Sequence, residues 1–239
     1  MKPTKKASEM SIQELARYID YSVLKPQFSE KEIVELCKKG VSLGVAQVCI
    51  SPAYMALCEP YVKGTHTKLG PTCDFPFGNT SLESKVAQAK WALAYDTVGE
   101  LDMVANFGLI RSGKYDEVAK EIHAVADVCH EKGIELKVIL ETGALNEEQI
   151  RKGARTVVAG GADWVKTSTG FLTGFDDKGA TPEIIQILMD EVGGQIKIKG
   201  SGHIRTREHF LKLIDMGIDR MGVGYKSAPV VLGLDEEQA

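Results

Sequence analysis

"ELDMVANFGLIRSGKYDEVAKEIHAVADVCHEKGIELKVILE" (residues 100–141) holds two short apolar runs separated by a long amphipathic stretch. Residues 100–106 and 135–141 are rich in Leu, Val, Ile and Met and too short for stable helices, so both are expected as strands. Residues 115–133 repeat apolar positions at helical spacing and close on Gly133, which predicts a helix with a glycine stop. The unit is strand, helix, strand.

The same beat runs outward in both directions. Further strands are expected at 21–24 (YSVL), 46–50 (AQVCI), 67–73 (TKLGPTC), 163–167 (DWVKT), 195–200 (QIKIKG) and 219–224 (DRMGVG), which makes eight. Helical patterns fall between them, for example at 29–44, 81–95 and 181–194, several opening on Ser or Thr and closing on glycine. No proline-rich or low-complexity linker breaks the rhythm. Eight regular units favour one (β/α)8 barrel over residues 11–239, with its active site at the C-terminal ends of the strands. An extra N-terminal helix, in "SIQELARYID" (11–20), is expected to close the bottom, and residues 1–10 are expected to be flexible. A doubly wound open sheet is the alternative, but no G-x-G-x-x-G follows the first strand.

Composition narrows the partners. The 239 residues are 44% hydrophobic and 26% charged with a formal charge of -4, which offers no basic surface to nucleic acid. No eighteen apolar residues run together and the N-terminus has no uncharged signal core, so no membrane span or export signal is expected. Five cysteines, odd in number and without a C-x-x-C pair, read as reduced thiols of a cytoplasmic protein. A homo-oligomer, dimer or tetramer, is left open.

Parallel strands buried on both faces are normally continuous apolar runs. Here Asp102 shares a strand face with Glu100 and Val104, Lys137 with Ile139 and Glu141, and Lys199 with Lys197, while Lys166 is the last residue before the turn in "DWVKTSTG". If these faces point into the barrel, one aspartate and several lysines converge near its mouth. A structural ion network accounts for any one of them, each lysine pairing or snorkelling to water. Together they exceed what one aspartate neutralises, and excess positive charge lowers a lysine pKa. A free lysine, pKa ~10.4, is neutral in fewer than about one molecule in a thousand at pH 7. An amine activated by a cationic neighbour is what imine catalysis on a carbonyl compound requires.

The segments "IDYSVLKP" (19–26), "VCISP" (48–52), "ELDMVANFG" (100–108), "LKVILETGAL" (136–145), "VKTSTGF" (165–171) and "KGSGHIRT" (199–206) together resemble the deoxyribose-phosphate aldolases, a class I aldolase family. The resemblance spans nearly the whole chain in order. It implies a lyase of deoxyribonucleotide catabolism that reversibly cleaves 2-deoxyribose 5-phosphate to glyceraldehyde 3-phosphate and acetaldehyde, with no cofactor. By motif, Lys166 matches the imine-forming lysine, Asp102 the proton-relay acid and Lys199 the second lysine that depresses the first. Thr167, Gly170, Gly202, His203, Gly222 and Gly224 are the candidates for holding the substrate and its phosphate.

Departures from the family pattern lie at the loops after the last two strands: Gly202-His203 replaces a Gly-Gly pair, and Gly222-Val-Gly-Tyr225 replaces Gly-x-Ser-Ser. Barrels usually hold phosphate there. A Schiff-base aldolase with a different acceptor and a sugar-phosphate binder without catalysis therefore stay open. A metal-dependent aldolase is disfavoured, since the five histidines form no H-x-x-x-H.

Overall fold

The alternation of strand and helix closes on itself. The computed structural model describes residues 3–235. Eight strands, β1 (Ile19–Val23), β2 (Gln47–Ile50), β3 (Lys68–Cys73), β4 (Glu100–Val104), β5 (Glu135–Ile139), β6 (Trp164–Lys166), β7 (Lys197–Ser201) and β8 (Arg220–Gly224), pair in parallel in chain order. β8 returns to β1, with Ile19 opposite Met221 and Ser22 opposite Gly224, so the fold is a (β/α)8 barrel. Among the described residues ten α-helices surround or cap it: α1 (Ile12–Ala16), α2 (Glu30–Ser42), α3 (Met55–Val62), α4 (Leu82–Ala92), α5 (Phe107–Arg111), α6 (Tyr115–His130), α7 (Glu147–Ala159), α8 (Pro182–Val192), α9 (Arg207–Met216) and α10 (Ala228–Leu232). None of the described helices is long and apolar enough to cross a membrane.

Local chemistry sets the helix ends. Ser29 of α2 and Asn146 of α7 accept the N–H of Glu32 and Gln149, whose side chains accept the cap N–H in return. Thr181 caps α8, with Pro182 in the first turn where no amide donor is needed.

The outward faces of the strands make the core with the helices. Tyr21 and Val48 are buried against α2, and a Cβ at Gly40 would stand 2.7 Å from Val48, so glycine lets that helix close in. The inward faces alternate with them and carry charge in place of the branched apolar layers usual in such barrels. Asp20, Asp102, Lys137 and Lys199 are all completely buried.

α1 precedes β1 as expected. Arg17, directly after it, donates to the carbonyls of Val45 (2.9 Å) and His66 (3.2 Å), just before β2 and β3, which ties the helix to the N-terminal end of the barrel. Within residues 1–10, Ala7 is buried and its N–H donates to Asp215 at 2.7 Å. Residues 1–2 lie outside the described part.

Candidate active site

Register brings the charges together. Asp102 is level with Lys137 across the β4–β5 pair, and Lys166 with Lys199 across the β6–β7 pair. Asp102 Oδ2 lies 2.7 Å from both Lys166 Nζ and Lys199 Nζ. Lys199 Nζ also lies 2.5 Å from Asp20 Oδ2, and Asp20 Oδ1 accepts from Arg220 at 2.7 Å. Lys137 Nζ bridges Glu100 (2.6 Å), Asp20 (3.1 Å) and Asp102 (3.6 Å). Below them the ring of Trp164 is flanked by Lys137, Lys197 and Arg220, 4.8 to 5.3 Å from its centroid, a favourable setting for cations.

The charges count out. Asp20, Glu100 and Asp102 balance Lys137, Lys199 and Arg220, and Lys166 is the fourth cation of this network if it keeps its proton. Burial pushes both acids upward, but the surrounding cations outweigh it and hold Asp20 and Asp102 well below the usual carboxylate range. Burial likewise opposes the Lys199 ammonium, yet Asp102 and Asp20 raise it well above an ordinary lysine. Lys166 moves the other way: burial lowers it, Asp102 opposes, and the Lys199 ammonium adds to the fall. Burial is thus the larger cause of the low Lys166 pKa and Lys199 a second one.

Asp20, Cys49 and Asp102 form a cluster of metal-ligand type, but the Lys199 ammonium sits among them, 3.8 Å from the sulfur. Burial pushes the Cys49 thiol up to about 11, so it is an uncharged wall rather than a nucleophile.

Lys166 opens into a cavity of about 370 Å³ at the C-terminal ends of the strands. Gly170, Gly202, His203, Gly222 and Gly224 line it, as do Lys25, Arg205 and Lys226, so three further cations face the space above Lys166. Thr167 is placed differently from the expectation. Its hydroxyl donates to Ser201 O and accepts Ser201 N–H, both at 2.9 Å, cross-linking β6 to β7 outside the cavity lining. A larger cleft of about 660 Å³ lies at the other end of the barrel, around Asp163, Lys197 and Asp219.

Neither departure is demanded by its local geometry. His203 adopts φ 58°, a left-handed conformation that glycine takes without strain, and its Nε2 stands 3.9 Å from Asp177. A Cβ at Gly224 would meet nothing within 4 Å. No steric demand requires glycine there, so the absent hydroxyl is a real loss of a donor.

Sequence reasoning missed Asp20, Arg220, Lys25 and Arg205. Asp20 stands immediately before the strand expected from Tyr21. Beginning that strand one residue earlier puts Asp20 on the face of Ser22.

A parallel (β/α)8 barrel that buries an amine at the C-terminal end of β6 against a carboxylate in the middle of β4 is the arrangement of a barrel enzyme. A profile of the DeoC/LacD aldolases matches residues 15–234. The chain belongs to this family and is an aldolase. It is 40% identical over 211 residues to the deoxyribose-phosphate aldolase of Thermococcus gammatolerans, covering 87% of this chain and 92% of the relative. Among solved structures it superposes on the aldolase QR15 with a TM-score of 0.83 at 35% identity, covering 92% of this chain and 95% of QR15. It also superposes on the deoxyribose phosphate aldolase of Aeropyrum pernix, described as a unique tetramer, with a TM-score of 0.82 at 27% identity, covering 93% and 91%.

Proposed function

We propose that Lys166 is the imine-forming amine of an enzyme that reversibly cleaves 2-deoxy-D-ribose 5-phosphate to D-glyceraldehyde 3-phosphate and acetaldehyde. One observation carries the chemistry: the ion network is neutral without Lys166, so this amine is the group free to shed its proton. Neutral Lys166 adds to the C1 aldehyde, and the carbinolamine loses water to a protonated imine. The C2–C3 bond then breaks, its electron pair moving into the imine to leave an enamine, while the C3 hydroxyl gives up its proton and becomes the aldehyde of the triose phosphate. Protonation of the enamine at C2 and hydrolysis release acetaldehyde and restore Lys166.

Asp102 is the relay for these protons. Held as a carboxylate at rest, it touches both amines with Oδ2, while its Oδ1 faces the Lys137 ammonium at 3.6 Å. A carboxylate oxygen within hydrogen-bond reach of the reacting amine is placed to take up and return a proton. Lys199, kept protonated, lowers Lys166 and completes the relay.

The sugar phosphate is supported by the cations of the cavity. Lys25, Arg205 and Lys226 line it together with Gly170, Gly202, Gly222 and Gly224, a combination of cations and glycine-rich loops suited to an anion. A hydrogen bond to a charged group contributes about 1.5 to 3 kcal/mol, so losing the hydroxyl at Gly224 weakens phosphate binding without abolishing it. Cleavage of 2-deoxyribose 5-phosphate is expected to exceed that of unphosphorylated 2-deoxyribose in kcat/KM by at least about tenfold, or ~1.4 kcal/mol, when acetaldehyde release is measured side by side. Equal or better use of the neutral sugar would move the assignment to an aldolase with a different acceptor.

A further inference from the structure

Glu141 makes no hydrogen bond or ion pair with the amine network among the described residues and feels Lys166 only as a minor charge, yet it is buried and takes a left-handed backbone, φ 58° and ψ 60°, which is costly for a residue with a Cβ. Its neighbours explain the position. Leu140 N–H donates to Lys166 O and Thr142 N–H to Thr167 O, both at 2.9 Å, so the chain follows the end of β6 on either side of Glu141. The left-handed turn swings the side chain across that end. There the carboxylate accepts Thr169 N–H at 3.2 and 3.3 Å through its two oxygens, and also the Thr169 hydroxyl. The same hydroxyl accepts Phe171 N–H at 3.0 Å, and the Phe171 ring packs edge-on to Phe75 with centroids 5.4 Å apart.

Thr169, Gly170 and Phe171 all line the cavity. We infer that Glu141 is a positioning residue whose carboxylate builds this wall and so sets affinity for the sugar phosphate, leaving the Lys166 amine untouched. The separation follows from how each part is held. Lys166 is fixed by strand pairing to Ile139 and Lys199 and by Asp102. The polar bonds of the wall at Thr169 converge on the Glu141 side chain. Burial also raises the Glu141 carboxyl pKa, with the Thr169 bonds opposing that rise. Thr169 cannot offer its hydroxyl proton to a substrate while Glu141 takes it.

This inference rests on Lys166 being the imine-forming amine, and one pair of measurements keeps the two apart. In Glu141→Leu, KM for 2-deoxyribose 5-phosphate is expected to rise about tenfold or more, as loss of hydrogen bonds to a charged group displaces the wall. The rate at which acetaldehyde and borohydride modify Lys166 stays within about threefold of wild type, since the amine is unmoved. Glu141→Gln, which keeps one acceptor oxygen, recovers most of the KM. Equal losses in KM and in Lys166 modification, or no change in either, would overturn the positioning role. Should Glu141→Leu fail to fold, Thr169→Val cuts the link to Phe171 and must show the same split; its absence overturns the role equally. A wild-type enzyme that is not modified at Lys166 sinks the imine reading itself.

Discussion

Replacing Lys199 with leucine is expected to move the rising limb of the pH–rate profile to higher pH by about one to two units. Lys166 and Lys199 each stand 2.7 Å from the same Asp102 oxygen, so their nitrogens are no more than twice that distance apart. Two ammonium groups ~5 Å apart at an effective dielectric of ~20 repel by about 3 kcal/mol, roughly two pKa units. Burial, the larger cause of the low Lys166 pKa, remains in the variant, so the amine does not return fully to an ordinary lysine. The sign is fixed. Removing a neighbouring cation favours protonated Lys166, and it also leaves Asp20 and Asp102 short of a partner, which pushes the same way. At pH 7 the neutral amine, and kcat/KM with it, falls by about tenfold to a hundredfold, partly recovering at alkaline pH. A limb that stays in place while activity drops at every pH would show that Lys199 only carries protons and that burial alone tunes Lys166. Since breaking a buried pair costs about 3 to 5 kcal/mol, the profile is read beside a thermal melt.

Asp102→Asn is expected to lower kcat by about 10²- to 10⁴-fold, the usual contribution of a positioned acid–base group. The shape is retained, but an amide neither takes up nor returns the proton. Its pH signature is opposite to that of Lys199→Leu. Asp102 raises the Lys166 pKa, so removing its charge lowers that pKa and moves the rising limb to lower pH. Opposite movements in two variants of one cluster are hard to obtain from a general loss of structure. Wild-type turnover in Asp102→Asn would remove Asp102 from the relay.

The barrel was legible because strand and helix periods differ and because eight units repeat. The strand expected over 100–106 is β4 (Glu100–Val104), and that expected over 163–167 is β6 (Trp164–Lys166), each trimmed where the chain turns. Asp102, Lys137, Lys166 and Lys199 could be found as charges on faces that should be apolar. Their balance could not, because Asp20 and Arg220 join the network only when β8 closes on β1. The same closure sets Lys25 over the ring of Tyr225, 5.9 Å from its centroid, across almost the whole length of the chain. Glu141 was expected as the last residue of a strand running 135–141. β5 ends at Ile139, and nothing in a glutamate announces a left-handed backbone. Thr167 is a different case: a hydroxyl beside the key lysine suggests a substrate contact, while its hydrogen bonds in the barrel go to Ser201 at a neighbouring strand end.

Reduction with borohydride in the presence of acetaldehyde, followed by peptide mass mapping, identifies the imine-forming amine. One stable ethyl adduct is expected on the peptide containing Lys166, with Lys199 unmodified because Asp20 and Asp102 hold it as an ammonium. An adduct on Lys199 with Lys166 unmodified would contradict that assignment.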